Sequence, residues 1–120
     1  MKGLKKCPAR FYSTHQGNEP VRDWLKELAT ADRKAVGVDI ATAEYGWPVG
    51  MPVSRSMGNG LFEIRTNLSG KRISRVLFSI TDDNMVLLHG FIKKTRRTPK
   101  HDMDLALKRL KRIKRLSKGN

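Results

Sequence analysis

Residues Gly60–Pro99, GLFEIRTNLSGKRISRVLFSITDDNMVLLHGFIKKTRRTP, contain three apolar runs separated by two polar breaks. Leu61 to Thr66 alternates apolar with polar, Ile73 to Ile80 is β-branched and aromatic, and Met85 to Ile92 is apolar apart from His89 and Gly90. Period-two runs of this length predict strands. The breaks Asn67-Leu68-Ser69-Gly70 and Thr81-Asp82-Asp83-Asn84 carry residues that tolerate turn geometry. The stretch therefore predicts an antiparallel meander. Each strand brings cations into it: Arg65 in the first, Arg75 in the second, Lys93 and Lys94 at the exit of the third.

Upstream, Ala9 to Ser13 has the β-propensity of Phe11 and Tyr12 and predicts a short strand. Pro20 suits a first helical residue, and Val21, Trp24, Leu25 and Leu28 then recur at helical spacing. Thr30 is placed to cap a second helix that turns Ala35, Val36, Ile40 and Ala43 inward and stops at Gly46. Gly37 within it costs about 1 kcal/mol relative to Ala and predicts a close approach of the two helices. Trp47 to Asn59 has no period and reads as a loop, with Arg55 on the lip of a site. Trp24, Trp47, Met51 and Met57 are expected to pack in core or loop.

After the meander, Thr98-Pro99 opens a last helix over about residues 100–116, with Met103, Ala106, Leu107, Leu110 and Ile113 on one face. The opposite face carries Lys108, Arg109, Lys111, Arg112, Lys114 and Arg115. The order β-α-α-β-β-β-α predicts an α+β fold in which helices cover one side of a small antiparallel sheet. Residues 1–120 are expected to form a single domain.

Twenty-five Lys and Arg against eleven Asp and Glu leave a net charge of +14. A surplus this large repels itself in the compact state and points to an anionic partner, nucleic acid first. No apolar run approaches the ~20 residues of a membrane span, and the N-terminus lacks the apolar core of a secretory signal. A cytoplasmic protein with no membrane association is the expectation. Cys7 is the only cysteine, and no Cys/His spacing suggests structural zinc.

The run Leu61-Phe62-Glu63-Ile64-Arg65, then Arg72-Ile73-Ser74-Arg75-Val76-Leu77-Phe78, and above all Leu87-Leu88-His89-Gly90-Phe91-Ile92-Lys93-Lys94-Thr95 with Thr98-Pro99, resembles HigB-type toxins. These belong to the RelE/ParE superfamily of toxin-antitoxin systems, in the branch often carried by phage and mobile elements. The resemblance implies a RelE-like fold and a metal-independent, cofactor-free endoribonuclease (an mRNA interferase, a hydrolase by class) that cuts messenger RNA at the ribosome and so inhibits translation. It also implies a cognate antitoxin with a helix-turn-helix domain, of the HigA kind. The family's key basic positions fall at Arg65, at Arg75, and at Lys93 or Lys94. Glu63 stands where RelE-like members often carry another cation, and His101 is the candidate for the Tyr or His they place near the last helix. Arg55, Arg72, Thr95, Arg96, Arg97 and His101 are the further RNA-binding candidates.

Residue chemistry leads to a similar place. Attack of a 2′-hydroxyl on phosphorus builds negative charge that fixed guanidinium groups stabilise, and the planar fork of Arg65 or Arg75 can hold two phosphate oxygens. Glu63, two residues from Arg65 on one strand, shares its face and is either a base or a partner that orients Arg65. Lys93 or Lys94, crowded by Arg96 and Arg97, is the candidate for proton transfer. The competing reading makes Arg65 and Arg75 a solvated sheet face paired with Glu63 or Asp82, and His89 a hydrogen-bonded core residue. At the level of function, the alternative is a protein without nuclease activity, either a ParE-like gyrase inhibitor or a basic nucleic-acid-binding accessory protein.

Overall fold

A computed structural model describes residues 5–48 and 54–118. Strand β1 (Ala9–Phe11) leads to helices α1 (Pro20–Glu27) and α2 (Thr30–Gly46), strands β2 (Ser54–Gly58), β3 (Leu61–Asn67), β4 (Ile73–Thr81) and β5 (Asn84–Lys93), and helix α3 (Lys100–Lys118). The fold is α+β, and the meander β3-β4-β5 is antiparallel as its sequence predicts. Asp82 and Asp83, with φ of 52° and 62°, form the two-residue turn between β4 and β5, the geometry that matches strand twist.

Three details differ from the sequence-based expectation. The sheet has five strands in the order β1-β5-β4-β3-β2 and is mixed, because β1 runs parallel to β5 at the far edge. The supposed loop contains β2, which pairs antiparallel with β3. The physical reason is Asn59-Gly60: both adopt positive φ, 57° and 80°, and close a tight hairpin between Gly58 and Leu61. Met51 lies outside the described residues.

The third difference concerns the layers. Helices α1 and α2 cover one sheet face, where Val21, Val36, Ile40 and Ala43 meet Ile64, Val76, Phe78, Met85 and Leu87. Helix α3 lies on the opposite face, where Ala106 and Leu110 meet Leu61, Leu77, Val86, Leu88 and Phe91. The sheet is thus covered on both sides, since alternate residues of β3, β4 and β5 are apolar toward each. Trp47 closes the first core, edge-on to Phe62 and Phe78 at 5.0 and 5.4 Å between ring centres.

Beyond these three architectural differences, two local expectations also fail. Thr30 is the first helical residue rather than the cap, and Ala29 precedes it without a side-chain cap bond. Gly37 makes no close approach, and a Cβ there would meet open space. The close approach occurs instead at Gly90, where an added Cβ would lie 2.4 Å from the Trp24 ring.

Candidate nucleic-acid interface on the α3 face

Register places the charged residues of the meander in rows. One row crosses four strands as Arg55, Glu63, Leu77 and His89; the next reads Arg65, Arg75 and Phe91. All point to the α3 side, beyond the first turn of that helix, where the β5–α3 connection folds over them.

Glu63 is the hub. Its side chain is fully buried, and Arg65 Nε donates to Oε1 at 2.8 Å while Arg55 Nε lies 3.5 Å from the same oxygen. The Thr98 hydroxyl donates to Oε2, and Arg75 Nε stands 3.8 Å from it, an ion contact beyond hydrogen-bond length. With both oxygens engaged, Glu63 has the geometry of an anchor that orients Arg65; of the two roles its sequence allows, base and orienter, the base role has no free oxygen to work with.

Arg75 is buried as completely as Glu63. It donates from Nη2 to the Thr95 carbonyl, its Nε and Nη1 have no hydrogen-bond partner among the described residues, and its guanidinium lies 5.9 Å from the centre of the Phe91 ring. Burial foremost, then the neighbouring Arg65 charge, lowers its proton affinity, while Glu63 opposes this. A phosphate does not reach Arg75 in this arrangement, because the connection covers it. Arg65 also donates to the Arg96 carbonyl, so two arginines and Thr98 tie that connection to the sheet.

A second cluster adjoins the first through Phe91. His89 stacks on Phe91 with 5.4 Å between ring centres, and its Nε2 lies 2.6 Å from Asp102 Oδ1. Lys93 Nζ donates to Asp102 Oδ2 at 3.2 Å, and His101 Nδ1 lies 3.6 Å from the same oxygen. Asp102 is buried in the first turn of α3, where the helix dipole favours its charge. Burial alone would raise its carboxyl, but hydrogen bonds and charges from His89 and Lys93 together carry it below the ordinary value. Burial lowers the His89 ring below its usual value, against the pull of Asp102.

The bond to Asp102 bears out the reading of His89 as a hydrogen-bonded residue, but its place on the α3 face was not legible in the sequence. Strict alternation puts His89 on the same face as Leu87, in the apolar core. A bulge intervenes: Leu77 pairs with His89 but Phe78 pairs with Leu87, so Leu88 is the extra residue and His89 turns to the α3 face.

The remaining candidates divide. Lys94, Arg96, Arg97 and His101 are exposed around the cluster, and the Thr95 hydroxyl donates to the Arg97 carbonyl. Arg72 stands apart, held by Asp32 of α2 at 2.7 and 3.0 Å. On α3, Arg109 is not part of the free basic face: it donates to the Leu88 carbonyl at 2.6 Å and lies over Tyr12. Arg112 likewise donates to the Ser13 carbonyl.

Four cations, Arg55, Arg65, Arg75 and Lys93, thus face two carboxylates, Glu63 and Asp102, within one patch. The excess positive charge sits beside the exposed Lys94, Arg96 and Arg97, an arrangement suited to an anion. Residues 23–111 match the family model described as Phage derived protein Gp49-like (DUF891), and the chain belongs to that family. The family is RelE-like and is associated with the toxins of toxin-antitoxin systems. No curated protein matches the chain. Among the described residues no helix is long and apolar enough to cross a membrane.

Proposed function

We propose that this protein is the toxin of a type II toxin-antitoxin system, of the HigB type, and that it cleaves messenger RNA on the ribosome. The observation that carries the reading is the convergence of Arg55 and Arg65 on a buried Glu63 beside Lys93, with the cationic surplus opening onto the surface. Glu63 occupies the Nε side of Arg65, which leaves the guanidinium oriented rather than free to wander. A fork held this way stabilises a phosphorane-like transition state without reorganising.

In this reading Arg65 and Arg55 hold the scissile phosphate, and the Lys93 ammonium protonates the departing 5′-oxygen. Lys94, Thr95, Arg96, Arg97 and His101 track the RNA backbone, a contact set that supplies affinity without sequence selection. Arg75 acts from beneath, setting the position of Thr95. A cognate antitoxin with a helix-turn-helix domain neutralises the toxin, and the ribosomal target places the activity in the cytoplasm.

The test is induced expression with primer extension on a translated reporter messenger RNA. Wild type is expected to arrest growth and to give new 5′ ends that require translation; Arg65→Ala and Lys93→Ala lose them. Arg75→Ala is a poor probe, because it would empty a buried site. Arrest without cleavage would favour a gyrase-directed or other non-nuclease inhibitor, and absence of arrest would overturn the toxin reading.

A further inference from the structure

The catalytic patch contains a histidine that neither the family match nor the basic-residue pattern assigns. We infer that His89 is the general base of the cleavage reaction, held in its working tautomer by the buried carboxylate of Asp102; the inference rests on the nuclease reading above.

The geometry carries it in three steps. With Asp102 ionised and 2.6 Å from Nε2, the ring proton sits on Nε2 and donates to Oδ1, so Nδ1 carries the lone pair. Nδ1 has no hydrogen-bond partner among the described residues. Phe91 fixes the plane of the ring by stacking, and the same Phe91 lies against both Arg75 and Lys93. The histidine is therefore one aromatic ring away from Lys93, the cation proposed to protonate the leaving oxygen, and from Arg75, which lies beneath the proposed phosphate site.

The reaction balances without a co-reactant. Nδ1 takes the proton of the 2′-hydroxyl as the O2′–P bond forms. The P–O5′ bond breaks with its electron pair going to O5′, which receives a proton from the Lys93 ammonium. The products are a 2′,3′-cyclic phosphate and a 5′-hydroxyl. Exchange with solvent returns a proton to Lys93 and removes one from His89.

The charged groups facing the ring are Asp102, His101 and Arg109 from α3, Lys93 from the end of β5, and Arg75 from β4 across Phe91. Burial is the largest influence and favours the neutral ring. A base is thus ready at neutral pH.

A purely structural role, a strut between β5 and α3, is the rival. His89→Gln separates the two, since a glutamine amide at the Nε2 position still donates to Asp102 but offers no basic nitrogen. The assay is single-turnover cleavage of messenger RNA on purified ribosomes with a filled P site, between pH 5.5 and 8, alongside thermal unfolding of the free protein.

General-base loss typically costs about 10²–10⁴-fold, and that is the expected drop for His89→Gln with unfolding temperature near wild type. The wild-type rate should fall with unit slope below an apparent pKa under the usual histidine value, and added imidazole should partly restore His89→Gly. Cleavage by His89→Gln within about threefold of wild type would overturn the assignment while leaving the nuclease reading intact. If the glutamine variant fails to fold, a flat wild-type acid limb has the same force. No cleavage by wild type would overturn the nuclease reading and this assignment with it.

Discussion

The two faces of one sheet use the same strands for opposite purposes. On the α1/α2 side, Ile64, Val76, Phe78, Met85 and Leu87 form a dry core whose energy comes from area removed from water. On the α3 side, the apolar patch under Ala106 and Leu110 gives way, within two residues along each strand, to Glu63, Arg65, Arg75, His89 and Lys93. The first face is built for stability. The second places ionised groups where solvation is poor, which stabilises the fold only while every partner stays in place. A sheet can afford such a face because the other one is complete.

The largest effect that tests this contrast should come from Glu63→Ala. The substitution leaves three guanidinium groups around an apolar gap, one of them fully buried. Breaking a buried ion pair from one side costs about 3–5 kcal/mol, and chemical denaturation should show a loss in that range. A loss below about 1 kcal/mol would mean that the cluster behaves as a solvated surface and that the two faces are not so different. On the opposite face, Gly90→Ala drives a Cβ into Trp24 at 2.4 Å. Overpacking of this kind costs about 1–3 kcal/mol, and the fluorescence of Trp24 should report the displacement of α1. Cleavage per folded molecule should be nearly unchanged, since the strain lies on the face away from the cations.

Acid should weaken the α3 face in two stages. The folded-state affinity of His89 for protons lies below its unfolded value of 6.5, so protonation disfavours the folded state and stability declines as pH falls from about 6.5 toward the folded value. Asp102 has a folded pKa depressed below 3.8; the stability it contributes is present above 3.8 and lost as pH falls through the folded value. Denaturation midpoints measured across this range should show the first decline in wild type and not in His89→Gln. Asp102→Asn removes the charge that holds the imidazole's affinity up, so the His89 resonance in an NMR titration should move to lower pH. A shift to higher pH would contradict the pairing.

The meander, α1 and α3 were legible because their apolar periods are uninterrupted and their turns carry turn residues. Strand β2 was hidden by composition: Ser54, Arg55, Ser56 and Gly58 have no apolar alternation, and the informative signal was the Asn59-Gly60 turn that follows. The side of the sheet taken by α3 could not be read at all, since β4 and β5 are apolar on both faces. Within the site, the spacing of Glu63 and Arg65 was enough to place them together. The hydrogen bonding of His89 was foreseen, but the face it takes was not, because a one-residue bulge reverses parity and leaves no mark in the sequence. The burial of Arg75 depends on contacts from Thr95, twenty residues away, which no local pattern encodes.

Arg72 provides the smallest expected effect and the sharpest control. Its charge is the same as that of Arg65, and the sequence offers both as site residues, Arg65 for catalysis and Arg72 for RNA binding, but Arg72 is bound by Asp32 of α2. That pair is solvent-facing, so its contribution is screened and Arg72→Ala should barely alter the denaturation midpoint. The Asp32 carboxyl, held below its ordinary value mainly by the Arg72 hydrogen bond, should titrate at higher pH in the variant. If the cationic surplus acts locally, Arg72→Ala should cleave messenger RNA like wild type while Arg65→Ala does not. Equal losses in both would mean that the RNA responds to net charge wherever it lies, and the α3 face would lose its claim to be the site.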